Sequence, residues 1–120
     1  MRLETVIKRA EQLGLPIAKD AFRETKETPL PELPYLVYIT PQTIGRGSDE
    51  AILLNEISVA LELYTEKIAD SSELEKQIEG KVLFDIEHQK YQETIESEDM
   101  TQTAYEFTIY EKVRRKNNGQ

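Results

Sequence analysis

The chain has no cysteine and no tryptophan, and a single histidine in 120 residues. Without Cys there is no disulfide framework, no thiolate nucleophile and no thiolate metal site. A reducing compartment fits that composition. With His88 as the lone imidazole, a hydrolytic triad has only one side chain to serve as its base. No Gly-x-Ser-x-Gly turn occurs either. No apolar run approaches the length of a membrane span, and Met1-Arg2-Leu3-Glu4 does not open into the apolar core of a signal peptide. The expectation is an intracellular protein with no membrane association.

What is present is acid, aliphatic alternation and tyrosine. The net charge is −8 and uneven: residues 62–111 hold fourteen Asp and Glu against four Lys, a local net of −10. Lys112, Arg114, Arg115 and Lys116 then place four positive charges in five residues. An acidic body argues against a DNA-reading surface, because phosphates are neutralised by Lys and Arg. It suits solubility, repulsion of DNA, or basic partners. The basic end could touch nucleic acid; the plainer expectation is a disordered, solvated tail over 114–120 behind a single domain over 1–113.

The longest clean alternation is Glu56–Thr65. Ile57, Val59, Leu61 and Leu63 point one way, and Ser58, Ala60, Glu62 and Tyr64 the other. Period 2 with aliphatics on one side predicts a strand with one face on a core. Thr103, Tyr105, Phe107 and Ile109 repeat the pattern within a predicted strand 101–113, so the two are expected to be neighbours in one sheet. Tyr35–Ile39, β-branched and aromatic, predicts a strand buried on both faces. Between it and the strand beginning near residue 52, Thr40–Glu50 breaks the pattern and is expected to form the mobile tip of a long hairpin.

Leu3, Val6, Ile7, Ala10 and Leu13 fall at helical spacing, with Gly14 as a C-terminal cap and Pro16 blocking continuation. Ile17–Phe22 is a short candidate strand, and residues 23–34, with Pro29, Pro31 and Pro34, a stiff loop. A second helix is predicted over 72–83. Ser71 or Ser72 can cap it, and Ser72 with Glu75 fits a capping box; Leu74, Ile78 and Val82 form its inner stripe, and Glu75, Glu79 and Lys81 lie on its outer face. A polar strand over 87–95 follows, and Glu96–Asp99 turns the chain. The order α-β-β-β-α-β-β predicts an α+β fold: an antiparallel sheet of four to five strands with both helices on one face.

Chemistry-bearing constellations are weak. Asp85, Glu87 and His88 lie close in sequence, but alternation on a strand would turn Glu87 away from His88. Gly45-Arg46-Gly47 resembles a phosphate cradle only in its spacing, since neither a capped helix nor a Lys-Ser/Thr pair follows. The acids of 96–99 and 49–50 sit in predicted turns, where solvated surface is the plain reading. All six tyrosines fall on predicted strands, and those not needed for the core suit a protein-binding face. The predicted residues point to assembly and not to catalysis.

Four stretches, in order and spanning nearly the whole chain, carry a resemblance. They are Leu13-Gly14-Leu15-Pro16-Ile17-Ala18, then Pro34-Tyr35-Leu36-Val37-Tyr38, then Leu61–Lys67 running into Leu74–Glu79, and last Glu93–Met100 leading to Ala104–Phe107. In these the chain resembles the small tail-completion, tail-terminator-like proteins of the head–tail joining region in long-tailed phages and prophages of Gram-positive bacteria. Ile44–Ser48 departs from the more Asp/Asn-rich tip expected there. The resemblance implies a virion structural protein and not an enzyme. Its rings, commonly hexameric, would cap the tail tube and dock it to the head connector, with DNA passing through an acidic channel without specific binding. It implies assembly in the host cytoplasm, then residence in the virion, and no catalytic, cofactor-binding or metal residues. Exposure on the hairpin and the last strand adds candidate interface residues: Ile44, Arg46, Asp49, Glu50, Ile52 and Tyr110. Two other classes remain: a small acidic interaction module, such as an inhibitor or DNA mimic, and a hydrolase-like enzyme working through His88.

Overall fold

A computed structural model describes residues 1–48 and 51–113. Predicted sites Asp49 and Glu50, and the tail over 114–120, lie outside the described residues. The elements, in chain order, are α1 (Leu3–Glu11), β1 (Ile17–Lys19), β2 (Tyr35–Ser48), β3 (Ala51–Glu66), α2 (Ser72–Gln77, continued as a π-helical turn over Ile78–Val82), β4 (Gln89–Ile95) and β5 (Met100–Lys112), with a 3₁₀ turn over Glu96–Glu98 before β5. The fold is α+β in the predicted order. The five strands form one sheet, β1-β2-β3-β5-β4.

β3 is the central strand. It pairs with β5 without interruption from Leu54↔Lys112 to Glu66↔Met100, and with β2 along the other side. Alternation then does what it predicts. Val59, Leu61 and Leu63 stand beside Phe107, Tyr105 and Thr103 on one face, and all six are buried. Val6 and Ala10 of α1, with Ile78, Val82 and Leu83 at the second helix, close over that face. Leu36 joins this core, while its neighbour Val37 is buried on the opposite face, as a strand apolar on both sides requires.

The sheet is mixed, not wholly antiparallel. β1 runs parallel to β2, in register from Ile17↔Leu36 to Lys19↔Tyr38. The long proline-bearing segment between them can carry the chain back to the same end of the sheet, as a parallel crossover demands and a tight hairpin cannot. β1 is also shorter than Ile17–Phe22: Asp20 adopts φ +67°, which ends the extended run.

The hairpin differs as well. Thr40–Ser48 remains in the ladder, closing with Ser48↔Ala51. Thr40 and Pro41 together oppose Val59 alone, so Pro41 sits in a β-bulge, where its missing N–H breaks no rung. A second irregularity leaves Leu53 as the extra residue on β3. Gly47 is obligatory here: a Cβ would strike the Ala51 carbonyl oxygen.

The second helix begins differently from the predicted capping box. The Asp70 carboxylate accepts the Ser72 N–H at 3.0 Å, while Ser71 turns its hydroxyl to Glu75. The last turn widens around Gly80, with Leu83 N–H donating to the Ile78 carbonyl. β4 starts at Gln89 and not at 87, because Leu83–Ile86 makes a turn closed by Ile86 N–H and the Leu83 carbonyl.

Two substitutions separate packing from polar burial. Leu63→Ala is expected to lower unfolding free energy by about 2–5 kcal/mol through its cavity. Thr65 is 3% exposed, and its hydroxyl has no partner among the described residues. Thr65→Val keeps the shape and removes the unpaired group, so it is expected to stabilise by about 1 kcal/mol. Urea unfolding of both variants checks the pair; a Thr65→Val protein less stable than the parent would assign that hydroxyl a partner.

Candidate functional site

No helix among the described residues is long and apolar enough to cross a membrane. Both helices lie on one face of the sheet; the opposite, open face carries no helix among the described residues, although Val37, Ala60 and Ala104 are buried on it. An aromatic row begins it: Phe22 meets Tyr35 edge-on at 5.0 Å between ring centroids, and Tyr35 lies 5.4 Å from Tyr64. The Tyr64 hydroxyl donates to Glu62 at 3.0 Å and accepts from the Gln102 amide at 2.8 Å. Burial raises the Tyr64 phenol to about 12, with Glu62 adding to the rise against the Gln102 hydrogen bond. Glu62 is itself raised, first by burial and then by Glu106 nearby, against the hydrogen bond from Tyr64. Small residues, Ser58, Ala60, Ala104 and Thr108, occupy the middle of the face beside these acids.

At the far end the same face carries three of the predicted interface residues. Ile44, Glu56 and Tyr110 form one row across β2, β3 and β5. Arg46, one rung further, reaches Glu56 at 3.2 Å. Tyr110 is half-exposed. Ile52 belongs to the other side of the hairpin, over Gly45, where an added Cβ would lie 3.1 Å from it. The structure thus brings Ile44, Arg46 and Tyr110 together and sets Ile52 apart, beside the exposed Leu53. Gly45 and Gly47 serve strand packing beneath Ile52 and Ala51, which accounts for the Gly-x-Gly spacing without a phosphate.

The His88 constellation does not converge. The ring packs edge-on against Tyr105 at 5.6 Å, and Nδ1 lies 2.8 Å from the Ile86 carbonyl, which can only accept, so Nδ1 carries the proton. Asp85 is held instead by Arg9, at 2.8 Å, and that hydrogen bond lowers its pKa below the usual carboxylate value. Arg9 also covers the exposed Phe84 ring at 4.5 Å. No group of three His, Asp or Glu side chains suited to a metal ion occurs among the described residues.

The densest polar cluster is one that sequence reasoning missed. Glu75 and Glu79 were expected on the outer face of the second helix, yet both turn toward β4 and β5. Lys90 of β4 sits between them, 2.6 Å from Glu75 and 2.7 Å from Glu79. The buried Tyr105 hydroxyl donates to Glu79 at 2.7 Å, and Gln92 donates to Thr103 at 2.9 Å. Burial pushes Glu75 up, but hydrogen bonds from Lys90 and Ser71 outweigh it and the net shift is downward. Glu79 is lowered by hydrogen bonds from Lys90 and Tyr105, and Lys90 is raised by Glu75 and Glu79. The i, i+4 spacing of Glu75 and Glu79 was a usable signal, since it puts two acids on one helix face; the cation that draws that face inward comes from a strand fifteen residues on. All these carboxylates have partners, so the cluster is a clamp joining the helix to the outer strand and not an acid–base pair awaiting a substrate.

The chain matches no protein-family model and none of the curated proteins with which it was compared.

The clamp has a pH signature. Carboxylates lowered in the folded state contribute stability that is present above the ordinary carboxylate range, near about 4.3, and lost as pH falls through the lowered values. Lys90→Met is expected to cost about 1 kcal/mol at neutral pH, discounted for partial exposure. It should also flatten the loss of stability between about pH 4.5 and 2.5. Urea midpoints across that range check it; parallel profiles for parent and variant would exclude Lys90 as the source.

Proposed function

We propose that this protein is a structural subunit of the head–tail joining region of a long-tailed phage or prophage. It assembles with itself into a ring, commonly a hexamer in proteins of this kind, that caps the tail tube and docks it to the head connector. The observation that carries the reading is the hairpin end of the sheet. Beyond Ile57 the β2–β3–β5 tongue extends past the residues that pack into the core. Its last rungs, Gly47↔Ile52 and Ser48↔Ala51, have no third strand among the described residues. A two-stranded ribbon is marginal alone in water, yet this one presents Ile52 and Leu53 with about half of each side chain exposed. Apolar groups on a projecting ribbon suit a docking element covered by a neighbouring subunit or by the tube.

The acidity supports the same reading. A carboxylate-rich wall repels the phosphate backbone, so DNA passes a channel without sticking. The role is non-enzymatic and needs no cofactor. The protein assembles in the host cytoplasm and ends in the virion. The acidic open face also favours one alternative, a DNA-mimicking or inhibitory module that binds a basic protein one-to-one.

Sedimentation velocity separates the two. At high concentration, or with tail tube present, the parent chain is expected in a ring-sized species. Ile52→Asp with Leu53→Asp removes about 1.5 kcal/mol or more of burial per residue and should leave monomers with unchanged far-ultraviolet dichroism. A parent chain that stays monomeric with tube present contradicts the ring. Neighbouring genes for capsid, connector and tail tube are the expected genomic setting.

A further inference from the structure

β5 has a neighbour on both sides for only half its length. β4 accompanies it as far as Gln89↔Glu106, while β3 continues to Leu54↔Lys112. Among the described residues, the outer side of Phe107–Lys112 therefore presents main-chain N–H and C=O groups with no ladder partner. An edge of this kind is a template for an added strand. The start of the chain meets it where Leu3 N–H donates to the Glu111 carboxylate at 2.7 Å, and Met1 lines the groove beside it.

A groove of about 780 Å³ follows this edge and continues onto the open face. Glu62, Asp85, Glu87 and Glu106 line it. Arg9 pairs with Asp85; the other three have no ion-pair partner among the described residues. Glu106 lies close enough to Glu62 to make the Glu62 charge costlier. A cation entering the groove relieves that repulsion in a partly desolvated setting, where it is worth more than at an open surface.

The chain carries the complementary charge in one place. Lys112, Arg114, Arg115 and Lys116 are its densest positive run. The run begins at Lys112, the end of β5, beside Val113, whose N–H donates to the Leu53 carbonyl, close to the groove's Tyr110. Seven residues follow Val113, a reach of about 24 Å when extended. To lie along its own edge the segment would have to reverse at once, spending Arg114 and Arg115 on the turn and losing the charges that fit the groove. A neighbouring copy imposes no such reversal.

We propose that the basic segment after Val113 of one copy adds as a strand along the Phe107–Lys112 edge of the next copy, its Arg and Lys side chains meeting Glu62, Glu87 and Glu106. The inference rests on the ring reading. The contact is heterologous, the segment of one copy against the groove of the next. Contacts of that type generate rings when the rotation closes. Phosphate-binding by the same segment is the competing use of its charge.

The test uses a peptide of residues 111–120, fluorescently labelled at its N-terminus. It is titrated into the full chain carrying Arg114→Glu, Arg115→Glu and Lys116→Glu, so that the resident tail does not compete. Saturable binding is expected, weakening about tenfold or more from about 50 to about 300 mM salt. It should fall about tenfold with Glu87→Lys, an exposed substitution in the link before β4 that spares the core, and further with Glu106→Lys. No binding at low salt, or binding indifferent to Glu87→Lys, overturns the proposal. In a mixture of isotopically light and heavy parent chains, carbodiimide cross-links from Lys116 to the groove carboxylates should join light to heavy. Cross-links confined to single chains overturn it, as does a parent chain that holds duplex DNA through this segment while the peptide ignores the groove. The titration needs no ring. A chain that binds peptide but never assembles therefore overturns the ring reading alone, and one that assembles but ignores the peptide overturns the tail contact alone.

Discussion

The structure depends on β3 being paired on both sides. Its main-chain groups are satisfied by β2 and β5, so its side chains are free to divide cleanly between two faces. Val59, Leu61 and Leu63 lie among the buried core residues, and the helices have a surface to close over only because Phe107, Tyr105 and Thr103 stand beside them in register. A slip of one residue would send Glu62 and Tyr64 into the core and Leu61 and Leu63 to the open face. The helices follow from this. α1 is nine residues and the regular part of α2 six, too short to hold their shape without the sheet beneath them.

The two faces of the same strands then divide the work. The helix side holds the core and, at its margin, the Lys90 clamp, where opposite charges are matched. The open side holds aromatic rings, small residues, the Arg46–Glu56 pair and, in Glu62 and Glu106, acids with no ion-pair partner among the described residues. Charge is thus used in two ways: to tie β4 to the second helix, and to leave the open face acidic. The hairpin end adds apolar exposure to that surface. The buried residues of β3, Val59, Leu61 and Leu63, lie in one half of the strand, and its exposed apolar residues, Ile52 and Leu53, in the other.

Much of this was legible in the residues. The alternation of Ile57–Leu63 and of Thr103–Ile109 placed both strands and made them neighbours, because period 2 has few other readings over that length. All six tyrosines lie on strands, as expected. What escaped was non-local. The parallel pairing of β1 depends on where residues 20–34 lead the chain, and three residues of weak pattern carry no sign of direction. Thr40–Pro41 read as a break, since proline interrupts a ladder; in a bulge that interruption is harmless. Glu75 and Glu79 looked like solvated helix surface because Lys90, which turns them inward, is distant in sequence. Of the candidate site residues, Ile44, Arg46 and Tyr110 come together only because 40–48 stays in the ladder, where a mobile tip was expected, while the Leu53 bulge, invisible in composition, puts Ile52 on the other side.

Amide hydrogen exchange resolved along β3 tests the central claim most directly. The account predicts a gradient within this one strand. In the free subunit, amides of residues 57–65 should be the slowest in the protein, and those of 51–54 should exchange orders of magnitude faster. If the hairpin docks as proposed, adding tail tube should leave the slow half unchanged and protect the fast half. Uniform slow exchange along the whole strand in the free subunit, or protection on assembly that falls on 57–65 and spares 51–54, would contradict it.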